Sequence, residues 1–114
     1  MKKQLICVIA LVMLSATLAA QKVIKVKYAS QADVLIYAVK YESQCDLKVF
    51  FVKYESQADE DGKWYWVEYE SQAEVKVYFV EYESQADLKI YYVDYESQAG
   101  WRNPQKRHLL YGNH

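Results

Sequence analysis

The densest chemistry in the chain lies near its middle, where Asp59-Glu60-Asp61-Gly62 leads through Lys63 into Trp64-Tyr65-Trp66. Aromatic faces beside carboxylates stack on sugar rings and attract cations. Trp64, Tyr65, Trp66, Asp59 and Asp61 are therefore candidate ligand-binding residues for a glycan or an apolar molecule. The same stretch also reads as a longer turn whose larger side chains fill ordinary core slots. Weak Ca²⁺ binding by Asp59, Glu60 and Asp61 is a further reading, but the spaced oxygen ligands of an EF-hand loop are missing. Elsewhere no chemistry converges. His108 and His114 sit in a tail at a spacing that matches no recognised zinc site. No serine or cysteine has a nearby histidine in sequence, and no glycine-rich loop is suited to phosphate. Glu55, Glu70, Glu83 and Glu96 recur like surface residues, not like one tuned acid–base pair. The expectation is no catalytic residue, no metal and no cofactor: a protein that is not an enzyme.

The elements that must position these residues come from an internal repeat. Its marker appears as Ser30-Gln31-Ala32-Asp33, Ser43-Gln44-Cys45-Asp46, Ser56-Gln57-Ala58-Asp59, Ser71-Gln72-Ala73-Glu74, Ser84-Gln85-Ala86-Asp87 and Ser97-Gln98-Ala99-Gly100, at spacings of 13, 13, 15, 13 and 13 residues. A fixed period means one small unit packed on copies of itself. In Asp46-Leu47-Lys48-Val49-Phe50-Phe51-Val52-Lys53-Tyr54-Glu55-Ser56-Gln57-Ala58 the centre is β-branched and aromatic, which is strand composition. Ser and Asp bond locally to nearby backbone, which suits a connection. No mature repeat carries a helical period.

Alternation gives each strand two faces, and neither is purely polar. Phe50-Phe51-Val52, Tyr78-Phe79-Val80 and Tyr91-Tyr92-Val93 are apolar on both sides, so both faces need cover: a sheet curled shut, a second layer or a partner. The expected fold is all-β, with about six 13-residue repeats contributing one strand each to an antiparallel meander that curls toward a barrel or sandwich. A four-residue turn at Ser43-Gln44-Cys45-Asp46 would set Val39 opposite Phe50. A parallel β-solenoid is the alternative. It explains the likeness of the repeats, but it stacks Glu55, Glu70, Glu83 and Glu96 in one column and Lys63, Lys76 and Lys89 in another, and like charges directly opposed are destabilising.

One position carries a charge trend. The residue before each repeat tyrosine is Lys27, Lys40 and Lys53, then Glu68, Glu81 and Asp94. It reads either as solvated surface that drifted, or as a bipolar molecule whose ends attract, closing a ring or driving head-to-tail assembly.

Residues 1–20 read as a signal peptide. Lys2 and Lys3 precede an apolar run, Leu5 to Leu14, too short for a bilayer core of about 30 Å that needs roughly 20 apolar residues. Cleavage near Ala19 or Ala20 leaves residues 21–100 as a β-repeat domain and 101–114 as a capping tail, with no transmembrane helix in the mature chain. An uncleaved anchor is the alternative. The protein is then secreted or periplasmic. Beyond Cys7 in the leader, Cys45 is the lone cysteine, and it occupies a slot filled by alanine in other repeats. It reads as a small buried hydrophobe, and an internal disulfide is excluded. The formal net charge is −1, which offers nothing to nucleic acid. With three glycines and one proline the chain does not read as disordered, and its twelve tyrosines fall mostly at fixed repeat positions.

The phrases Lys53-Tyr54-Glu55-Ser56-Gln57-Ala58-Asp59 and Tyr95-Glu96-Ser97-Gln98-Ala99-Gly100-Trp101-Arg102-Asn103 resemble a family of short secreted bacterial repeat proteins of unknown function. The resemblance implies a shared fold and carries no site residue. The expected role is a secreted, non-enzymatic structural or interaction module of the bacterial cell envelope. Two alternatives stand beside it: a ligand-binding module built on the aromatic third repeat, and a protein that self-assembles through strand edges. The expected partners are accordingly a second copy of the chain or an envelope glycan.

Overall fold

The structure is a computed structural model that describes residues 21–111. The leader reading for residues 1–20, with Cys7, and His114 lie outside the described residues. Among the described residues seven strands form: β1 (Lys22–Lys25), β2 (Val34–Ala38), β3 (Leu47–Phe51), β4 (Lys63–Trp66), β5 (Val75–Phe79), β6 (Leu88–Tyr92) and β7 (Gly100–Trp101). The first six close into a parallel barrel in the ring order β1-β5-β2-β6-β3-β4, with β4 pairing back to β1. β7 adds antiparallel to the start of β3.

The expected antiparallel meander is therefore wrong in both direction and partner. Val39 does not face Phe50; its amide donates to Ile90 O at 2.8 Å. The solenoid has the parallel direction but would pair successive units. Here β1, β2 and β3 make one circuit of the barrel with gaps between them, and β5 and β6 of a second circuit fill those gaps. Each strand shares its length between two neighbours. Val34, Leu35 and Ile36 pair with Val77, Tyr78 and Phe79 of β5, and Ile36, Tyr37 and Ala38 pair with Leu88, Lys89 and Ile90 of β6. A two-residue stagger repeated at each junction requires strongly tilted strands.

Parallel neighbours usually need long crossovers. Here the strands are short. A five-residue strand spans about 17 Å, and eight extended residues reach about 26 Å, so one compact link suffices. Tyr-Glu-Ser-Gln builds it. Tyr41 is extended, Glu42–Gln44 forms a 3₁₀ turn, and Gln44 N donates to Tyr41 O at 3.1 Å. In two units the glutamine side chain also caps the turn: Gln57 Oε1 accepts from Tyr54 N and Gln85 Oε1 from Tyr82 N, both at 3.2 Å.

Inside the barrel, Val34, Leu47, Val75 and Leu88 form one layer and Val23, Ile36, Val49, Trp64, Val77 and Ile90 the next, all no more than 1% exposed. Each such burial contributes about 1.5–3 kcal/mol. The outward aromatics Tyr37, Phe50, Tyr65, Tyr78 and Tyr91 are half-buried. Both faces of a strand are thus covered, the pattern of a parallel strand.

The acidic residues opening four of the units, Asp33, Asp46, Glu74 and Asp87, clamp the neighbouring strand. Asp33 N donates to Lys76 O at 2.7 Å, and Asp33 Oδ2 accepts from Lys76 N at 2.8 Å. Asp46 grips Lys89 in the same way, at 2.7 and 2.9 Å, and Asp87 grips Leu35 at 2.8 and 3.1 Å. The glutamates of four turns reach across one strand to a lysine on the strand beyond. Glu55 meets Lys22 at 2.8 Å, Glu96 meets Lys63 at 3.1 Å, Glu42 meets Lys48 at 3.7 Å and Glu83 meets Lys89 at 3.9 Å. Members of the glutamate and lysine columns that counted against parallel stacking therefore meet each other, Glu96 with Lys63 and Glu83 with Lys89. The one turn that lacks glutamate, at Ala29, leads to the one ring strand beyond β1 with leucine in the lysine slot, Leu35.

The fourth unit departs from the others because β3 must accept two partners on one edge. Leu47 and Lys48 pair with β7, and Phe50 and Phe51 pair with β4. Gly62 sits at that junction with φ 91°, where a Cβ would lie 2.6 Å from Lys48 O and 2.7 Å from Gly100 N. After β7 the tail runs across the amino ends of the strands as the 3₁₀ segment Pro104–Leu110. Lys106 Nζ donates to Asp87 O at 2.9 Å, Asn103 Nδ2 to Asp46 Oδ1 at 3.2 Å, and Leu110 enters the core at 1% exposure. Gly62→Ala is expected to cost about 2 kcal/mol or more, from strain plus the backbone clash; urea unfolding of the two proteins measures it.

Interleaving also reorders the charge trend. Around the ring the residues before the tyrosines run Lys27, Glu81, Lys40, Asp94, Lys53, Glu68, so the sign alternates at every junction. All six are exposed. Diagonal neighbours at such a rim interact by a few tenths of a kcal/mol. Reversing Lys27, Lys40 and Lys53 to glutamate makes the rim uniformly acidic and should lower stability by about 1–3 kcal/mol at low salt, less as salt rises. Reversing all six signs should restore it. Thermal melts of the three proteins at two salt concentrations decide the matter.

Candidate functional site

The carboxyl ends of the ring strands open on a different chemistry from the sealed amino ends. The third inward layer is Ala38, Phe51, Trp66, Phe79 and Tyr92, with Lys25 completing it on β1. Phe51 is the hub. Its ring stacks on Trp66 at 5.0 Å, meets Tyr92 at 5.4 Å and stands edge-on to Trp64 at 6.2 Å. Trp66 also contacts Phe79 at 6.4 Å, and Lys25 Nζ lies 4.9 Å from the Phe79 centroid. Trp66 remains 37% exposed and Tyr92 44% exposed. Partial burial pushes the Tyr92 phenol above its ordinary pKa.

Beside Trp66 a groove of about 510 Å³ runs down the outer surface of the fourth unit, walled by Trp66, Tyr65, Tyr69, Glu55, Glu68 and Lys22. Its floor is crossed by the Lys22–Glu55 ion pair, and the Glu55 carboxylate holds the Lys22 ammonium above its usual pKa. A smaller groove of about 200 Å³ occupies the equivalent place on the sixth unit, between Tyr91, Tyr92, Glu42 and Asp94. Flat aromatic walls, carboxylates and a glutamine amide can stack on a ring and accept its hydroxyl protons.

The five residues singled out from the sequence separate. Alternation along β4 turns Trp64 into the core at 0% exposure, Tyr65 outward, and Trp66 inward again at the mouth. Tyr65 and Trp66 meet in the groove. Trp64 does not, and its Nε1 has no hydrogen-bond partner among the described residues. Asp59 lies 3.4 Å from Lys63. Asp61 ties the tail down: its Oδ2 accepts from Trp101 Nε1 at 2.8 Å and from Arg107 Nε at 2.9 Å. Neither carboxylate faces the groove. The groove residues that the sequence reading passed over are Tyr69, Glu55, Glu68 and Lys22. Their signal is the repeat itself: Tyr69 lies in a column that is tyrosine throughout, and Glu55 and Lys22 lie in columns broken only at Ala29 and Leu35.

Among the described residues no group of histidine, cysteine, aspartate or glutamate side chains has metal-binding geometry. His108 lies on the tail, with Nδ1 3.0 Å from Gln105 O. Cys45 is 2% exposed; burial pushes its thiol pKa up, partly opposed by the Arg102 guanidinium. Native Cys45 is therefore expected to react with an aromatic disulfide reagent at least tenfold more slowly than in denaturant, because only the exposed thiolate attacks; a stopped-flow labelling course in both conditions checks it.

Residues 20–102 match the 7(1) septoil knot domain, and the chain belongs to that family. No curated protein and no solved structure matches it. No helix among the described residues is long and apolar enough to cross a membrane.

Proposed function

We propose that this member of the septoil knot family is an exported, non-enzymatic interaction module of the bacterial cell envelope, and that its contact surface is the belt of Tyr-Glu-Ser-Gln turns. The observation that carries the reading is the exposure of the turn tyrosines. Tyr28, Tyr41, Tyr54, Tyr69, Tyr82 and Tyr95 are each 60–67% exposed. Their backbones start the turns, but their rings fill no core slot. A large amphipathic ring kept in water at every unit is the composition of a binding surface. Closure of the barrel supports side chains over strand edges as the contact, because all six ring strands are paired on both sides. The basic and apolar character of residues 1–20 supports export.

A ligand-binding reading is favoured by one further observation, the groove at Trp66 and Tyr69 with carboxylates at its rim. Its ligand class is a glycan ring stacked on the aromatic wall.

The test is sedimentation with isolated envelopes. Wild-type protein is expected in the pellet, and a variant with all six turn tyrosines changed to serine is expected in the supernatant, with an unchanged melting profile. Equal partition of the two proteins would reject the belt as the contact. Trp66→Ala alone should abolish any glycan-induced fluorescence change while leaving envelope sedimentation intact.

A further inference from the structure

The amino-terminal side of β1 is held by a carboxylate whose side chain is longer than the repeat uses elsewhere. At the opening position of the units, Asp33, Asp46, Asp61 and Asp87 are aspartates, and Glu74 alone is a glutamate. Asp33, Asp46 and Asp87 each accept one backbone N–H from the neighbouring strand, at Lys76, Lys89 and Leu35 respectively. Glu74 does this too, with Oε1 2.9 Å from Lys22 N. The extra methylene lets the same oxygen reach one residue further, to Gln21 N at 2.9 Å. Gln21 is also the one polar residue in an inward column otherwise filled by Val34, Leu47, Gly62, Val75 and Leu88. It is only 4% exposed, its Nε2 lies 3.3 Å from Asp61 Oδ1, and its Oε1 has no partner among the described residues.

We infer that Gln21 is the first residue of the mature protein and that Glu74 is a binding site for its α-ammonium group, an inference that rests on the proposed export. A peptide N–H in that place brings one proton and no charge. A free amino terminus brings three protons and a positive charge, and its bond to a carboxylate becomes charge-assisted, roughly twice as strong as a neutral one. The additional protons are donors in the very residue whose buried Oε1 has no other partner. The same contacts protect the terminus chemically. A free amino-terminal glutamine cyclises when its α-nitrogen attacks its own Cδ: the N–Cδ bond forms, the Cδ–Nε2 bond breaks, and one ammonia leaves. Attack requires the unprotonated amine. Glu74 favours the ammonium, and Asp61 anchors the Nε2 that must leave, so the folded barrel keeps Gln21 open.

The full-length chain, expressed in a bacterium with an intact export route, tests this. Amino-terminal sequencing and intact mass of the exported protein are expected to give a start at Gln21 with its side-chain amide retained. Export with a start at another residue overturns the inference and leaves the export reading standing; an unprocessed chain retained in the cytosol overturns the export reading itself. A second comparison separates an ammonium site from a purely structural clamp. Glu74→Gln keeps a side chain able to accept from Lys22 N in both precursor and mature forms. It is expected to raise the unfolding equilibrium constant about fivefold more in the mature protein than in the precursor, and to accelerate loss of ammonia from the mature terminus. An equal effect on both forms overturns the inference.

Discussion

A chain that lays each strand two places round the barrel from the last must leave a gap on its first circuit and fill it on the second. That step governs the rest of the molecule. Every neighbour in the ring then comes from the other circuit, apart from the odd junction at β3. The links β1–β2, β2–β3, β4–β5 and β5–β6 each pass over the strand that occupies the skipped place, whereas β3 and β4 are direct neighbours. In four links the glutamate comes to rest over a lysine on the strand beyond. The aspartate that ends the link enters beside a strand of the other circuit and clamps it through both its backbone and its carboxylate. A single thirteen-residue sentence can be reused because each copy meets the same surroundings.

The irregular parts serve the same geometry. Seven strands taken two at a time do not distribute evenly over six ring places, so β4 and β7 share one edge of β3. The inserted residues before β4, the glycine at 62 and the positive φ of 142° at Gly100 all lie at that junction. Asp61, which in other units would clamp a strand, there holds Trp101 and Arg107. The tail thereby closes the amino end, and the carboxyl end is left with the aromatic mouth and the groove. The two ends of one barrel differ because only one of them receives the tail.

The strands themselves were legible in the sequence, each centred on its β-branched and aromatic run, and the need for cover on both faces was legible in Phe50-Phe51-Val52. The pairing was not. Ser-Gln-Ala-Asp has the composition of a tight reversal, which favours antiparallel neighbours, and the glutamate and lysine columns argued against any parallel stack. Two signals for the interleaved order were nevertheless present. Three lysines followed by three acids at one repeat position alternate in sign only if the halves of the chain interdigitate. Glutamate is missing at Ala29 and lysine at Leu35, the two positions equivalent to the paired Glu42–Lys48 and Glu83–Lys89. At the site, period-two alternation was enough to part Trp64 from Trp66. What sequence could not supply was the depth of the groove, which depends on a turn from β3 and a lysine from β1 meeting beside β4.

The central claim is the strand order, and inter-strand NMR contacts in uniformly labelled protein test it most directly. The account predicts backbone contacts from Ile36 to both Phe79 and Leu88, and a hydrogen-bond coupling between Val39 N and the Ile90 carbonyl. Contacts joining successive units, such as Val39 to Phe50, would contradict it.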